Sequence, residues 1–278
     1  MKNFAFFLCF LCFLLTSTVH LLLAPYSKVE ESFHTQAVHD TLFHLPPKSS
    51  SASSIWSVYY EIYGELFASS SALHCSGAAA ARADATVPCA ILTKFDHLSF
   101  PGVVPRSFLP SAVIANFFCR PLLRLQELLL DRAALEPNVV KPLYGLLSRF
   151  FVGALNSHAS ARLALSLRGP PLHRWCFVVV TCMQPHLNFY STRHLPNTFA
   201  LLITTHAFAY WFSSNFYLSI ALLAFAIVTV RCDIVVLAAP VFISLLVNRR
   251  VKFLPGVLVG LTAAAGTFLV IVPLDTVM

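Results

Sequence analysis

The stretch FAFFLCFLCFLLTSTVHLLL, residues Phe4–Leu23, decides the fold class of this chain. Its length is close to the ~20 apolar residues that a helix needs to cross a bilayer. It is longer than the apolar core of a usual signal peptide, and it lacks a clear cleavage site of small residues. We therefore predict a retained signal anchor, with the N-terminus in the cytoplasm and the following loop on the other side of the membrane.

Composition extends this prediction to the whole chain. Of its 278 residues, 57% are hydrophobic and 11% are charged, and the mean hydropathy is +0.73, whereas a soluble domain usually carries about 25% charged residues. Long apolar runs with little charge predict an all-α polytopic membrane protein, because lipid forces each segment to satisfy its own backbone polar groups. The net charge of +7 is scattered between apolar segments rather than gathered in one run, so we expect no nucleic-acid partner.

Two basic segments without acids, Ser157–Arg174 and Asn248–Lys252, are predicted to be cytoplasmic. Single crossings between them place His186–Asn197 and Arg231–Asp233 on the luminal side. Further spans are predicted at Trp175–Phe189, Thr198–Phe212, Phe216–Val230, Ile234–Val247 and Phe253–Val272. The number of crossings between residues 107 and 156 stays open, because Ser107–Leu130 is interrupted by charges and could lie along the membrane surface.

The loop at residues 24–106 is the one substantial hydrophilic region. Within it, Pro46–Thr93 is rich in Ser and Ala and is predicted to be a low-complexity insertion. Cys75 and Cys89 both fall in this insertion, and the sequence leaves open whether they form a disulfide. We therefore treat residues 1–278 as a single membrane-embedded module with 4–23 as the first span, 24–106 as the luminal loop, 46–93 as its insertion, and 107–278 as the remaining spans.

The first candidate site follows the first span. Glu30 and Glu31 are adjacent carboxylates whose mutual repulsion makes one of them a stronger base, suited to accept a proton near neutral pH. Exposed acids at the start of a helix are the alternative interpretation. His39 and Asp40 come next, and in a helix His39 would share one broad face with Glu31; a surface His–Asp pair is the alternative there.

Two further groups carry charge beside predicted spans. Asp96, His97 and Arg106 surround the Pro-Gly turn of DHLSFPGVVPRSF, where prolines can hold charged groups in place; an Arg that meets lipid headgroups is the alternative for Arg106. The second group is His186, Arg193, His194 and Asn197. An Arg offers a planar fork for phosphate oxygens, and an ordinary interfacial Arg is the alternative. Arg231 and Asp233 are compatible with a local ion pair.

Four blocks occur in the order typical of one membrane enzyme family. They are HLLLAPYSKVEESF (His20–Phe33), DHLSFPGVVPRSF (Asp96–Phe108), HLNFYSTRHLPNTFAL (His186–Leu201) and VRCDIVVL (Val230–Leu237). The set resembles the dolichyl-phosphate-mannose-dependent α-1,6-mannosyltransferases that extend the lipid-linked N-glycan precursor in the endoplasmic reticulum. These are glycosyltransferases of the GT-C class, the GPI/N-glycan mannosyltransferase family.

The resemblance implies a GT-C-type fold with a large first luminal loop, in a multi-pass protein of the endoplasmic-reticulum membrane whose active site is luminal. It implies transfer of mannose from dolichyl-phosphate-mannose to the seven-mannose dolichol-linked oligosaccharide, with inversion, during protein N-glycosylation. Glu30 or Glu31 would be the catalytic base, and Arg193, His186 and Arg106 would stabilise the departing dolichyl phosphate. His39, Asp40, Asp96, His97 and Asn197 would complete the substrate site. No metal and no other cofactor are expected.

The family generally continues beyond the end of this chain, so we expect a chain truncated at its C-terminus. The alternatives are a sister mannosyltransferase of GPI-anchor or lipid-linked α-1,2 assembly, and a catalytically inactive truncated membrane protein. A transporter would more naturally show inverted repeats, and the sequence has no evident repeat.

Overall fold

The structure is a computed structural model that describes residues 2–43, 107–129 and 137–277. The observations below concern these residues. Several predicted features lie outside the described residues: insertion 46–93 with Cys75 and Cys89, and the candidate site residues Asp96, His97 and Arg106.

The described residues form helices and no strand, which confirms the all-α prediction for this part of the chain. The α-helices are α1 (Lys2–Leu23), α2 (Ser32–Phe43), α3 (Leu109–Val113), α4 (Arg120–Leu129), α5 (Pro137–Ser166), α6 (Pro171–Cys182), α7 (Pro185–Tyr190), α8 (Pro196–Phe212), α9 (Phe216–Thr229), α10 (Val235–Val247) and α11 (Phe253–Val277). Val29–Glu31 and Cys232–Ile234 are 3₁₀ turns, and the π-helical segment Ile114–Cys119 joins α3 to α4.

Proline sets the start of several helices. Pro171, Pro185 and Pro196 each occupy the first position of a helix. The first turn of a helix leaves its N–H groups without intrahelical partners, so the missing N–H of proline costs nothing there, and its fixed φ suits the helix. Prolines in the sequence therefore mark the starts of α6, α7 and α8.

The prediction of a single span over Trp175–Phe189 is wrong, because the chain breaks between α6 and α7. Gln184 precedes a proline and adopts an extended backbone, with φ −89° and ψ 99°, as proline requires of its neighbour. The side-chain amide of Asn188 donates hydrogen bonds to the carbonyls of Thr181, Cys182 and Gln184 at 3.3, 2.8 and 2.9 Å. These bonds satisfy carbonyls that the interrupted helix leaves open.

The helices pack as a chain of neighbours. Helix α1 lies along α5, α5 along α8, α8 along α9, and α9 along α11, while α2 packs on α3 and the π-helical segment. Three apolar clusters fill the contacts: one between α8, α9 and α10, one between α2, the π-helical segment and α5, and one between α1, α5 and α6.

Large apolar side chains also face outward. On α1 they recur about once per turn, as Phe4, Phe7, Leu11 and Leu15, and α11 shows the same pattern. Two helical segments, Asn3–Leu23 and Phe253–Val272, are long and apolar enough to cross a membrane, and shorter apolar helices include Phe216–Thr229. Outward apolar faces of this kind indicate a protein whose surroundings are lipid.

Contacts between helix ends gather distant parts of the sequence at one end of the molecule, here called the site end. It contains residues 24–31, 107–108, 190–197, 231–233 and 275. Asp275 accepts a hydrogen bond from the backbone N–H of Phe108 at 2.8 Å, and Arg231 donates to Asn197. At the opposite end, Arg168 donates to Ser214 at 2.5 Å. The fold thus collects polar residues from several loops on one side.

Candidate functional site

The two adjacent acids of KVEESF lie in different surroundings. Both belong to the 3₁₀ turn Val29–Glu31. Glu31 is completely buried, and its Oε1 accepts a hydrogen bond from the backbone N–H of Lys28 at 3.2 Å. Glu30 is exposed. The turn therefore fixes one carboxylate inside the protein and presents the other outward.

Two buried arginines face Glu31. Arg193 approaches Oε1 with Nη1 at 3.3 Å, and Arg149 of α5 places Nε 3.5 Å from Oε2. A buried carboxylate is tolerated only when it is paired and hydrogen-bonded. Because Arg193 follows α7 and Arg149 lies on α5, the pair ties the turn after α1 to both helices.

The arginines also collect the backbone carbonyls between α1 and the turn. Arg193 donates through Nη2 to Ala24 at 2.6 Å and through Nη1 to Tyr26 at 2.5 Å, and Arg149 donates to Pro25. One carboxylate does not balance two guanidinium groups, and these carbonyl oxygens stabilise the remaining positive charge. We call Glu31, Arg149 and Arg193 the anchor cluster.

The structure places Arg193 beside Glu31 and gives its side chain an inward orientation. Its side chain is only 1% exposed, and its guanidinium lies 4.3 Å from the centre of the Phe189 ring. Both Nη atoms donate within the protein. Arg193 therefore holds the segment that carries Glu30 and Glu31, and it does not present a free fork to the outside.

Two histidines connect helix α2 to its neighbours, one in the loop that contains Arg193 and one facing α3. His194 is fully buried, and its Nδ1 lies 3.3 Å from the hydroxyl of Thr35. Burial lowers the pKa of His194 to about 4, and the positive charge of Arg149 lowers it further, so the ring is neutral at neutral pH. His34 lies 2.9 Å from the Ser111 hydroxyl. These contacts orient α2 beside the anchor cluster.

Glu31 and the first turn of α2 face the loop that contains Arg193 and His194. Glu31 contacts Arg193 and Thr35 contacts His194, so both point toward the same loop. His39 follows one turn further on, and its Nδ1 lies 3.3 Å from Oδ1 of Asp40. The Asp40 side chain is 1% exposed and that of His39 is 31% exposed. This pair therefore presents an imidazole edge outward above a buried carboxylate.

An aromatic surface lies beside Lys28, which precedes Glu30 by two residues. Lys28 donates from Nζ to the Tyr190 hydroxyl at 2.5 Å, and this ammonium lies 5.1 Å and 4.6 Å from the ring centres of Phe189 and Tyr190. The exposed His186 ring lies 4.7 Å from that of Tyr190. Lys28, directly before the 3₁₀ turn, and α7 thus form one polar and aromatic face, on which Lys28 and His186 are exposed.

Asn197 belongs to a neighbouring group. It accepts a hydrogen bond from Arg231, and Arg231 also binds both carboxylate oxygens of Asp233, at 3.0 and 2.6 Å. The hydrogen bond from Arg231 lowers the pKa of the exposed Asp233. The expected ion pair between Arg231 and Asp233 is confirmed, and it includes Asn197.

Two site residues, Arg149 and Lys28, are missing from the sequence-based candidates. Arg149 had a signal, because it is a charged residue within the apolar stretch Pro142–Leu155, and charge within such a stretch usually has a partner. Lys28 had a weaker one, its position two residues before Glu30. Ser107 and Phe108 lie at the site end, hydrogen-bonded to Asp275. The described residues hold no group of three or more His, Cys, Asp or Glu that could bind a metal ion.

Fold and site define a helical, outwardly apolar protein with charged groups collected at one end. The chain belongs to the Alg9-like mannosyltransferase family, whose model matches residues 95–278. The protein of Arabidopsis thaliana named "Dol-P-Man:Man(7)GlcNAc(2)-PP-Dol alpha-1,6-mannosyltransferase" is 28% identical over 85% of this chain and 37% of its own length.

Two fungal relatives give the same result. The protein of Schizosaccharomyces pombe with the corresponding "probable" name is 30% identical over 86% of this chain and 33% of its own length. The protein of Saccharomyces cerevisiae with the Arabidopsis protein's name is 24% identical over 87% of this chain and 39% of its own length. The chain therefore spans about a third of the length of these relatives. No solved structure matches it.

Proposed function

We propose that this chain carries the luminal catalytic turn of a membrane-embedded α-1,6-mannosyltransferase. The donor is dolichyl-phosphate-mannose and the acceptor is the dolichol-linked seven-mannose oligosaccharide. Support comes from the names of four relatives, each of which states this donor, acceptor and linkage, and from membership of the Alg9-like family. No metal is needed, because the donor is a monophosphate ester rather than a nucleotide diphosphate sugar.

One observation supports placing the catalytic base at this site. The 3₁₀ turn carries an exposed carboxylate, Glu30, next to a completely buried one, Glu31. Glu31 is held by Arg149 and Arg193, so it is not available to take a proton from a substrate. Glu30 shares its turn and faces outward. We assign the general base to Glu30 and the positioning of that base to Glu31.

The proposed reaction is a single displacement at the anomeric carbon. Glu30 accepts the proton of the acceptor 6-hydroxyl, the oxygen forms the new bond to mannose, and the bond between mannose and phosphate breaks, releasing dolichyl phosphate. The β-linked donor therefore gives an α-linked product. His186, on the aromatic face, is placed to stabilise the departing charge. We assign Arg106 to the same role. We assign His39, Asp40, Asp96, His97 and Asn197 to the acceptor.

We further propose that the site end faces the lumen of the endoplasmic reticulum. Two segments are predicted from charge to be luminal, 186–197 and 231–233. Residues 190–197 of the first and all of the second lie at the site end, together with the residues that follow α1. Positive segments 157–174 and 248–252 lie toward the other end. Agreement between two independent patterns, loop charge and helix contact, supports this orientation.

The test compares lipid-linked oligosaccharides from cells that lack this chain and from cells that express it again. Cells without it should accumulate the seven-mannose intermediate, and re-expression should clear it. Glu30→Gln should lower clearance at least ~100-fold, since removing a general base typically costs that much or more, while Glu30→Asp should retain part of it. An unchanged profile in cells without the chain would reject the function. Full clearance by Glu30→Gln would reject the base.

A further inference from the structure

The buried position of Arg193 removes the leading sequence-based candidate for contact with the departing phosphate. A departing phosphate needs a fixed positive charge in contact with it. Arg193 and Arg149 are buried, and their guanidinium groups face Glu31 and backbone carbonyls inside the protein. Arg231 is exposed, but it is bound to Asp233 and Asn197. Among the described residues, a cation that contacts the phosphate beside Glu30 must therefore be a residue other than these three arginines.

Lys28 meets this requirement. It is exposed, it precedes Glu30 by two residues, and among the described residues no carboxylate lies within ion-pair distance of its ammonium. The ammonium is nevertheless held in place, because it donates to the Tyr190 hydroxyl at 2.5 Å and lies against the rings of Phe189 and Tyr190. A lysine ammonium has three N–H donors, and Tyr190 takes one of them.

We propose that Lys28 is the phosphate-binding cation of this site. It contacts a non-bridging oxygen of the lipid-linked phosphate, with Tyr190 and Phe189 orienting it and the exposed His186 ring beside them. This inference rests on the proposed function for the identity of the lipid, and on the contacts of Lys28 for the residue. The inference gives two residues of one segment separate roles: Lys28 binds the phosphate, and Glu30 removes the proton.

The aromatic neighbours explain why a lysine works here. Cation–π contacts with Phe189 and Tyr190 hold the charge without neutralising it, whereas a carboxylate partner would compete with phosphate. Charge-assisted hydrogen bonds between ammonium and phosphate are about twice as strong as neutral ones. The anchor cluster behind the turn adds a further net positive charge, since it contains two arginines and one glutamate.

The experiment measures binding of dolichyl phosphate to the purified 278-residue chain in phosphatidylcholine nanodiscs. Dolichol serves as the uncharged lipid control, and inorganic phosphate is added as a competitor to separate recognition of the lipid phosphate from free-ion binding. Lys28→Gln should weaken dolichyl phosphate binding about tenfold or more and leave dolichol unchanged. Lys28→Arg should keep binding within about threefold of the wild type, since it restores the charge.

Arg250→Gln is the matched control, because Arg250 is an exposed cation beyond the far end of α10; it should bind dolichyl phosphate as the wild type does. Lys28→Gln keeps the backbone N–H that binds Glu31, and an unchanged melting temperature will verify its fold. Equal binding by Lys28→Gln and wild type would overturn the proposal, as would equal loss of dolichol and dolichyl phosphate, or no binding by the wild type.

Failure of this inference and failure of the proposed function are separable. If Lys28-dependent binding is found but re-expression does not clear the seven-mannose intermediate, the phosphate site stands and the α-1,6 activity of the chain does not. If the wild type clears the intermediate and Lys28→Gln clears it equally well, the function stands and Lys28 is not its phosphate ligand.

Discussion

At the scale of single residues, burial gives neighbouring glutamates opposite roles. Glu31 is enclosed by Arg149 and Arg193, while Glu30 on the same turn is exposed. A buried charge that loses its partner costs far more than an exposed one, because the remaining charge stays out of water. The two positions therefore predict different consequences for the same substitution.

Glu31→Gln should lower the free energy of unfolding by about 3–5 kcal/mol, since it leaves two buried guanidinium groups without a carboxylate. Glu30→Gln should change it by less than about 0.5 kcal/mol, as surface substitutions usually do. Denaturation of the purified protein in detergent compares the two. Equal stability of both variants would contradict the anchor cluster.

His194 predicts a pH dependence of stability. Its pKa in the folded protein is about 4, below the ~6.5 of an unfolded chain, so the unfolded state binds more protons between these values. The stability contributed by the neutral ring is fully present above pH ~6.5 and is lost as pH falls toward 4, by up to about 3 kcal/mol. Melting temperatures measured from pH 7.5 to 4.5 should fall more steeply for wild type than for His194→Gln. Parallel curves would show that His194 does not stay neutral in the fold.

The sequence identified most of these residues but not their orientation. Glu30, Glu31 and Arg193 could be chosen from their types and spacing, and they do lie together. Which glutamate faces inward depends on Arg149, which is far away in sequence and reaches the turn only because α5 packs along α1. Orientation at this site is a tertiary property, and local patterns do not contain it.

At the scale of helices, the loop that carries Arg193 depends on a close approach of α5. A Cβ built on Gly153 would lie 2.8 Å from Cγ2 of Thr192, whereas one on Gly145 of the same helix meets nothing within 4 Å. Thr192 is almost fully buried and precedes Arg193. Gly153 thus permits the contact that positions the loop, and Gly145 does not have this role.

Gly153→Ala should therefore destabilise the protein by about 1–3 kcal/mol, the usual cost of overpacking. Gly145→Ala is the control, and it should stabilise α5 by up to about 1 kcal/mol, because alanine is the better helix former. Unfolding in detergent measures both. A Gly153→Ala variant as stable as Gly145→Ala would show that the loop moves aside freely.

Helix boundaries were predictable where local signals determine them. The predicted segments Thr198–Phe212, Phe216–Val230 and Ile234–Val247 match α8, α9 and α10 within two residues, because prolines, polar loops and apolar runs mark them. Hydropathy did not predict the break between α6 and α7, although Pro185 signals it. The carbonyls that the break leaves open accept hydrogen bonds from the Asn188 amide, and a hydropathy pattern carries no information on such bonds. The predicted site residues at 96, 97 and 106 stay predictions.

At the scale of the whole molecule, the short helices α9 and α10 decide the topology. Arg231, between them, is hydrogen-bonded to Asn197 at the start of α8, so α8 and α9 form an antiparallel pair that begins and ends at the site end. Helix α10 leads away toward Arg249 and Arg250. Its 13 residues span about 20 Å, which crosses most of a bilayer core of about 30 Å when the flanking turns are included.

The orientation of α10 can be tested with two single-cysteine proteins, since Cys232 is exposed at its site end and Asn248 is exposed at its other end. With the remaining cysteines replaced by alanine, an impermeant maleimide is added to sealed microsomes whose cytoplasmic face is outside. Asn248→Cys should react at once, and Cys232 should react only after the membrane is permeabilised, because loop charge predicts a cytoplasmic position for Arg249 and Arg250. The reverse pattern would invert the topology and put the site end in the cytoplasm. Immediate labelling of both cysteines would mean that α10 does not cross the membrane, and the luminal position of Glu30 would then lose the support of the contact between Arg231 and Asn197.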